Sequence, residues 1–553
     1  MPSGEEVELE AAIARVLQST SRKKLIVAGP GTGKTALFRR LLASSPGDNE
    51  SRLVLTFINN LKEDLAEDLS ALAHVFTLHG YCQSLLYRHA DIRQGLSSSF
   101  RCFPRLASLI ESDWKFLRTG ALPQFVKSMR NLSENPDLEF YLVRGNYYDA
   151  VDFDDSVYRV YVGLRGTPES ADRYDLILID EYQDFNRMEA GIIELLADRS
   201  PIVIAGDDDQ ALYSQLRGSS WEFIRSLYRG EEYERFELPF CMRCPEVIVG
   251  AVNDVIGRAR QLKKLEGRID KPYKHFAPVK GEDSKQYPTI ALVATTVQRG
   301  NANYFGRYIV QAIERIPENE FKEAASKGDP ALLIIASQPY RDQVVEHLTR
   351  VGYPIDTKRD ARLTVERSSG LELLRENPRS NLGWRVILEF EQVDFARSVV
   401  RSAAEKSLPL VGVIPQDFQQ KILGEVAGLK VVAEEPAQAA EQSGRGKGVF
   451  IKVTSFEGAK GLSAQHVFIV GLHEGELPRD SRNIQDIEIC RFLVGLTRTR
   501  KRCNLLHTRR FADQFRRPSL FLSWIRRERY ELIEIDAQYW RSSLKAQPRS
   551  GSL

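Results

Sequence analysis

Leu25-Ile26-Val27-Ala28-Gly29-Pro30-Gly31-Thr32-Gly33-Lys34-Thr35 is the stretch whose reading decides the fold. It opens on an apolar run of strand type and closes on Ala36-Leu37-Phe38-Arg39-Arg40, which reads as a helix. A glycine-rich turn between a buried strand and a helix lets backbone N–H groups curl around phosphates, and the helix N-terminus adds positive potential. In such a loop the lysine reaches the β- and γ-phosphates and the next hydroxyl ligates Mg²⁺. Gly29, Pro30, Gly31, Thr32, Gly33, Lys34 and Thr35 are therefore expected to bind a nucleotide, with Thr35 also a metal ligand. The first position of the motif is Ala28 rather than glycine.

Working outward, further apolar runs of strand length occur at Leu53–Phe57, Leu176–Asp180 and Ile202–Ala205, each followed by a helical pattern. Val/Ile/Leu-rich runs of this kind read as buried parallel strands in a repeated strand–helix arrangement. A second set, at Ile290–Val293, Leu332–Ala336, Phe450–Val453 and Val467–Val470, implies a second parallel sheet. The fold class is thus α/β, with two sheet domains flanked by helices. Residues of roughly 86–165 and 357–445 carry few strand runs and read as helical insertions into those domains. Lys271–Gln286, rich in Pro, Lys and Gly, reads as a surface loop, and the last dozen residues as a disordered tail.

Two acidic motifs sit at strand ends. Asp180-Glu181-Tyr182-Gln183-Asp184 follows Leu176–Ile179. A carboxylate at that position beside a phosphate loop can hold Mg²⁺, which suits Asp180, and its neighbour Glu181 can orient and deprotonate an attacking water. Gly206-Asp207-Asp208-Asp209-Gln210 follows the next strand, where the uncharged donor–acceptor Gln210 suits a sensor of water or of the γ-phosphate.

The chain has 553 residues, 42% hydrophobic and 27% charged, with a net charge of +2. That length implies two to four domains, by the usual limit of roughly 100–200 residues per core. Global charge does not announce a nucleic-acid binder, so any basic groove is local. A basic run does occur from Arg498 to Arg529, either a solvated face or a DNA contact. The six cysteines give one CxxC, Cys241 and Cys244, with no second pair at metal-ligand spacing. This usage fits a reducing cytoplasm, the acidic N-terminus lacks a signal-peptide pattern, and no apolar run is long enough to span a bilayer.

Taken in order, the phosphate loop, DEYQD and GDDDQ resemble the UvrD/Rep/PcrA group of superfamily 1 helicases. The resemblance continues through Thr56-Phe57-Ile58-Asn59, Thr77-Leu78-His79, Asp207 to Arg217, Phe240-Cys241-Met242-Arg243, Ala459-Lys460-Gly461-Leu462 and Val494-Gly495-Leu496-Thr497-Arg498. It implies two RecA-like domains with ATP and Mg²⁺ at their interface. It implies that Arg243 and Arg498 act as arginine fingers, and that Met242 and Gly461 contact the nucleotide. It further implies that Thr56, Phe57, Asn59, His79, Tyr213 and Arg217 contact single-stranded DNA. By residue type alone, Phe57 could equally be a core residue and His79 a structural hydrogen-bonding histidine.

By this resemblance residues 1–85 and 166–245 form the first RecA-like domain around a helical insertion, 86–165. Residues 246–356 and 447–540 form the second around a reduced insertion, 357–446, and 541–553 form the tail. Where the family packs an aromatic ring on adenine this chain has Met242, and where a glutamate meets the ribose it has Ser463. The expected function is ATP-driven translocation or unwinding along single-stranded DNA, 3′ to 5′, on single strands or partial duplexes in repair, recombination or defence. The alternative is a DNA-sensing regulatory ATPase that controls a separate nuclease or repair partner. Neither reading involves a membrane.

Overall fold

The computed structural model describes residues 2–45, 47–57, 65–66, 68–213, 217–299, 302–356, 366–428 and 450–545. Its first sheet contains β1 (Lys23–Ala28), β2 (Arg52–Thr56), β3 (His74–Thr77), β4 (Leu176–Ile179), β5 (Ile202–Gly206) and β6 (Glu234–Leu238). The order is β3-β2-β4-β5-β1-β6 and every pairing is parallel. All residues of β2, β4 and β5 are buried, as expected of apolar runs covered on both faces.

Alternation along the strands assigns the faces. Ile26, Val54, Leu178 and Val203 share a core with α1 (Gly4–Gln18) and α2 (Lys34–Ser44). Leu25, Val27, Leu53 and Ile177 turn to the other face, against α3 (Leu78–Arg88) and α8 (Arg187–Ala197). The order β4-β5-β1 brings three carboxyl ends side by side, which is where ligand loops gather in open parallel sheets.

The second sheet contains β7 (Ile290–Thr295), β8 (Leu332–Ala336), β9 (Ile355–Asp356), β10 (Ile451–Thr454), β11 (Ala464–Val470), β12 (Thr499–Thr508) and β13 (Tyr530–Ile535). Its order is β9-β10-β8-β11-β12-β7-β13, again parallel throughout. Helices α10 (Glu246–Gln261) and α19 (Asp486–Thr497) cover one face. Helices α12 (Tyr304–Glu314) and α14 (Gln338–Arg350) cover the other. The molecule is therefore α/β, with two parallel sheets flanked by helices, as the sequence implied.

The insertions are helical. Between β3 and β4 lie α4 (Leu106–Leu117), α5 (Phe125–Asn131), α6 (Leu138–Tyr148) and α7 (Phe153–Gly166). Between β9 and β10 lie α15 (Arg367–Glu376), α16 (Asn381–Glu391), α17 (Ala396–Lys406) and α18 (Gln416–Gly428). The second set packs on the first to make one arm. Leu109, Ile110 and Trp114 share a core with Trp384, Val400 and Ala403. Within it the fully buried Asp113 accepts from Arg385 Nε at 2.8 Å, Arg144 Nε at 2.7 Å and the Tyr148 hydroxyl at 2.6 Å.

Two expectations need correction. The stretch Lys271–Gln286 is not a surface loop: Lys271 and Tyr273 are buried, and Ala277–Gln286 forms α11. Its composition misled because Lys271 pairs with buried carboxylates rather than with water. The chain also stays helical from 541 to 545, since α20 runs from Ala537 to Lys545, while the rest of the expected tail, 546–553, lies outside the described residues. Trp540 anchors it beneath the Arg307 guanidinium, 4.2 Å from the ring centre, and against Tyr304. The remaining helices are α9 (Trp221–Arg229) and α13 (Glu318–Ser326). No helix among the described residues is long and apolar enough to cross a membrane.

Candidate active site

The loop after β1 is shaped by its glycines. Gly31 and Gly33 have φ of +72° and +87°, which an L side chain rarely adopts. A Cβ at Gly31 would lie 2.5 Å from Arg243 Cβ, and one at Gly33 would lie 2.4 Å from Met242 Cε. The Thr32 hydroxyl donates to Gly29 O at 2.9 Å, which closes the loop. Helix α2 begins at Lys34 without a side-chain cap at Gly33, so its first N–H groups are left for an anion. Gly29 itself lies behind the loop, against the Tyr273 ring.

A cleft of about 370 Å³ opens over this loop. Residues 30–35, Asp180, Glu181 and Gln210 line it from the first sheet's side. Met242, Arg243, Asp329, Gly461, Ser463, Arg498 and Arg500 line it opposite. The predicted nucleotide, metal and catalytic residues thus converge on one space, apart from Gly29.

Several contacts join the two walls. Arg498 is buried and donates through Nη2 to Gln210 Oε1 at 2.9 Å, with further bonds to Val494 O and Leu462 O. Arg243 donates to Thr497 O at 3.4 Å, and Met242 N donates to Gly31 O at 2.8 Å. Lys460, from the turn before β11, donates to Gln210 O and pairs with Asp184 at 2.5 Å, and its Nζ lies 3.6 Å from Glu181 Oε2.

The carboxylates are placed to differ. Asp180 ends β4, where its N–H donates to Leu55 O. Its Oδ1 is buried and has no hydrogen-bond partner among the described residues. Burial, with Glu181 adjacent, raises its pKa. Burial acts the same way on Glu181, but Lys34 and Lys460 outweigh it and hold that carboxyl ionised. Gln183 steadies Glu181 by donating to Oε2 at 2.5 Å while its own Oε1 accepts from Asp207 N. Glu181 has φ +53°, a left-handed backbone that costs a non-glycine residue on the order of 1 kcal/mol. Burial, helped by Arg243, lowers the Arg498 pKa to about 10, so it stays cationic near neutrality. An orphaned carboxylate oxygen in a cleft that Thr35 also lines suits a hard divalent cation.

Beyond Gln210 the same loop runs to Tyr213, whose hydroxyl donates to Glu457 O and whose ring meets Phe57 with centroids 5.4 Å apart. The Arg217 guanidinium lies 4.5 Å from the Phe57 ring centre and 3.1 Å from His79 Nε2. Phe57 is buried between Tyr213 and Phe185. His79 is also buried, and burial with Arg217 alongside lowers its pKa to about 3, so it is neutral. Glu189 uses one oxygen to cap α8 at Asn186 N and keeps the other 3.6 Å from both His79 and Arg217. Thr56 is buried at the end of β2, while Asn59 lies outside the described residues. Tyr213 and Arg217 are therefore the half-exposed members of this set, with Phe57 and His79 beneath them.

Other residues escaped the sequence reading. Lys460 stood in a recognised motif without a role. Arg500 pairs with Asp329 at 2.8 Å and donates to Ser463 Oγ at 3.0 Å, so both partners line the cleft. Only the basic run hinted at Arg500, and nothing hinted at Asp329. Much of that run is spent internally: Lys501 pairs with Glu323, Arg502 with Glu531, and Arg526 and Arg529 with Asp254. The Cys241–Cys244 pair is buried, with Cys241 Sγ accepting from the Tyr273 hydroxyl.

Comparison with known proteins places this geometry. The model of the UvrD/REP helicase N-terminal domain matches residues 9–139 and 123–230. The chain is 27% identical over 296 residues to ATP-dependent DNA helicase UvrD1 of Mycobacterium tuberculosis, covering 44% of this chain and 38% of that protein. It is 24% identical to ATP-dependent DNA helicase UvrD2 of the same organism, over 90% of this chain and 79% of that one. With DNA helicase II of Salmonella typhimurium it shares 24% identity over 93% of this chain and 86% of the relative. The UvrD1 match spans well under half of that relative's length.

Proposed function

This chain belongs to the UvrD/Rep-like superfamily 1A helicases, and from that premise we propose that it hydrolyses ATP with Mg²⁺ to move along single-stranded DNA, 3′ to 5′. One observation carries the reading. Lys460 and Arg498, both from the second sheet's domain, meet Gln210 and the Glu181 region, and the Gln210 loop continues directly into Tyr213. Nucleotide chemistry and the aromatic platform therefore share one loop.

The geometry supports the following roles. The glycine loop and Lys34 bind the phosphates, and Thr35 with Asp180 would hold Mg²⁺, which neutralises phosphate charge when bound. Glu181, kept ionised by Lys34 and Lys460, takes the proton of the attacking water. Gln210 orients that water. Arg243 and Arg498 stabilise the charge that spreads over the transferred phosphoryl group. Met242 and Gly461 flank the nucleotide, and a flexible thioether in place of a ring relaxes selection among bases. Tyr213 and Arg217, backed by Phe57 and His79, grip the single strand together with Thr56 and Asn59. The setting we propose is cytoplasmic DNA repair, recombination or defence.

Steady-state ATP hydrolysis with and without single-stranded DNA, on the wild type and Glu181→Gln, tests this. Strong DNA stimulation that Glu181→Gln abolishes is the expected result. Hydrolysis indifferent to DNA would overturn it and favour a regulatory ATPase that governs a separate nuclease.

A further inference from the structure

Asp207, Asp208 and Asp209 form three consecutive buried carboxylates with oxygens close enough to share a cation. The centre of the group is taken by the Lys271 ammonium, 2.8 Å from Asp207 Oδ1, 2.6 Å from Asp208 Oδ1 and 2.9 Å from Asp209 Oδ2. Arg268 grips Asp209 in a two-point contact, and Arg225 Nε donates to Asp208 at 2.9 Å. Three negative charges meet three positive ones, so the cluster is neutral without a metal. Burying six charges is costly unless each is paired, and such an arrangement is weak evidence for stability alone.

What the cluster holds is more informative. Asp207 gives Oδ1 to Lys271 and Oδ2 to Gln210 Nε2, at 2.8 Å each. Gln210 in turn offers Oε1 to Arg498 at 2.9 Å. A carboxylate only accepts and a guanidinium only donates, so the amide can face one way only. Lys271 lines no part of the nucleotide cleft. It belongs to the stretch between α10 and α11, two residues before Tyr273, whose hydroxyl donates to Pro30 O behind the phosphate loop.

We propose that Lys271 is a positioning residue for hydrolysis, fixing Asp207 so that Gln210 is held in register with Arg498. This rests on the reading of Gln210 and Arg498 as groups that meet the γ-phosphate. Asp207 Oδ1 also accepts from Asp209 N at 3.1 Å, so loss of Lys271 leaves that oxygen with one backbone donor and loosens the hold of Asp207 on Gln210. Displacements of about 1 Å at a reacting centre can cost on the order of a hundredfold in rate. Substrate binding through Lys34 and the glycine loop is untouched.

The test compares steady-state ATP hydrolysis and melting temperature for four variants. Lys271→Met leaves one uncompensated buried carboxylate and can fail by unfolding. Lys271→Met/Asp209→Asn restores neutrality without restoring the contact to Asp207. Lys271→Arg keeps the charge, but its planar fork cannot place one atom among three carboxylates. Gln210→Ala checks the underlying reading. The expected result for the double variant is a near wild-type melting temperature, a kcat lowered about tenfold to a hundredfold and a KM for ATP within about twofold of wild type. Lys271→Arg lowers kcat less, with stability kept. Wild-type kcat in the charge-balanced variant would overturn the proposal, because a purely structural lysine is replaced once the charges balance. Wild-type hydrolysis by Gln210→Ala would instead bring down the reading of Gln210, and the proposal with it.

Discussion

Asp113→Leu should loosen the arm while leaving the cleft intact. Asp113 is fully buried and accepts from Arg385, Arg144 and Tyr148, drawn from both insertions. Its removal leaves the buried Arg144 without its carboxylate partner and Arg385 with Glu389 at 2.8 Å, and breaking a buried pair in this way costs about 3–5 kcal/mol. Arg385→Met takes one donor of three and costs about 1–3 kcal/mol, since Asp113 keeps Arg144 and Tyr148. The double variant should cost less than the sum, because both single changes break the same Asp113–Arg385 pair and the double variant leaves no Arg385 guanidinium to compensate. Hydrogen–deuterium exchange, read peptide by peptide, measures this directly. At about 1.4 kcal/mol per tenfold, Asp113→Leu should speed exchange in α4, α6 and α16 by two to three and a half orders of magnitude. Helix α2 and strand β1 should be unchanged. An increase under fivefold in the arm, or an equal increase in β1, would refute the reasoning.

Three further outcomes are expected. Arg498→Ala should lower kcat by about 10³- to 10⁵-fold, and Arg498→Lys should recover little because the Gln210 contact needs the fork geometry; single-turnover hydrolysis decides it, and near wild-type turnover of the alanine variant would remove Arg498 from the chemistry. Glu181→Asn should abolish hydrolysis yet match or exceed the wild-type melting temperature, since asparagine tolerates the left-handed backbone there; a lower melting temperature would contradict the strain. The Mg²⁺ concentration for half-maximal hydrolysis should rise as pH falls from 8 to 6. Burial raises the Asp180 pKa, so protons compete with the metal for its carboxylate and lose as pH increases. A metal requirement flat across that range would sink the assignment of Asp180.

Legibility in the sequence tracked whether information was local. The eight apolar runs all became strands, and in seven of them every position of the run within the strand is buried, as a strand covered on both faces requires; the eighth, Ile451–Thr454, alternates. The glycine loop and the DEYQD turn were readable because strand, turn and helix follow within a dozen residues. Lys271 was not readable: a lysine beside proline looks solvated, and its three partners lie some 60 residues earlier. Lys460 belonged to a recognised motif, but its partners Asp184 and Gln210 come from the other domain. Phe57 and His79 carried two readings each, and the structure places both beneath Tyr213 and Arg217 rather than at the surface. Residue type alone cannot tell a buried support from the group it supports.

The second insertion belongs to the second sheet by chain connection and packs on the insertion of the first. The backbone therefore passes between the two halves of the molecule three times: after the first sheet, into the arm after β9, and back out of it before β10. Two bodies joined at one point can swing and twist in any direction. Joined at three, they keep few independent motions. Opening of the nucleotide cleft, which lies between the two halves, therefore draws on those few motions.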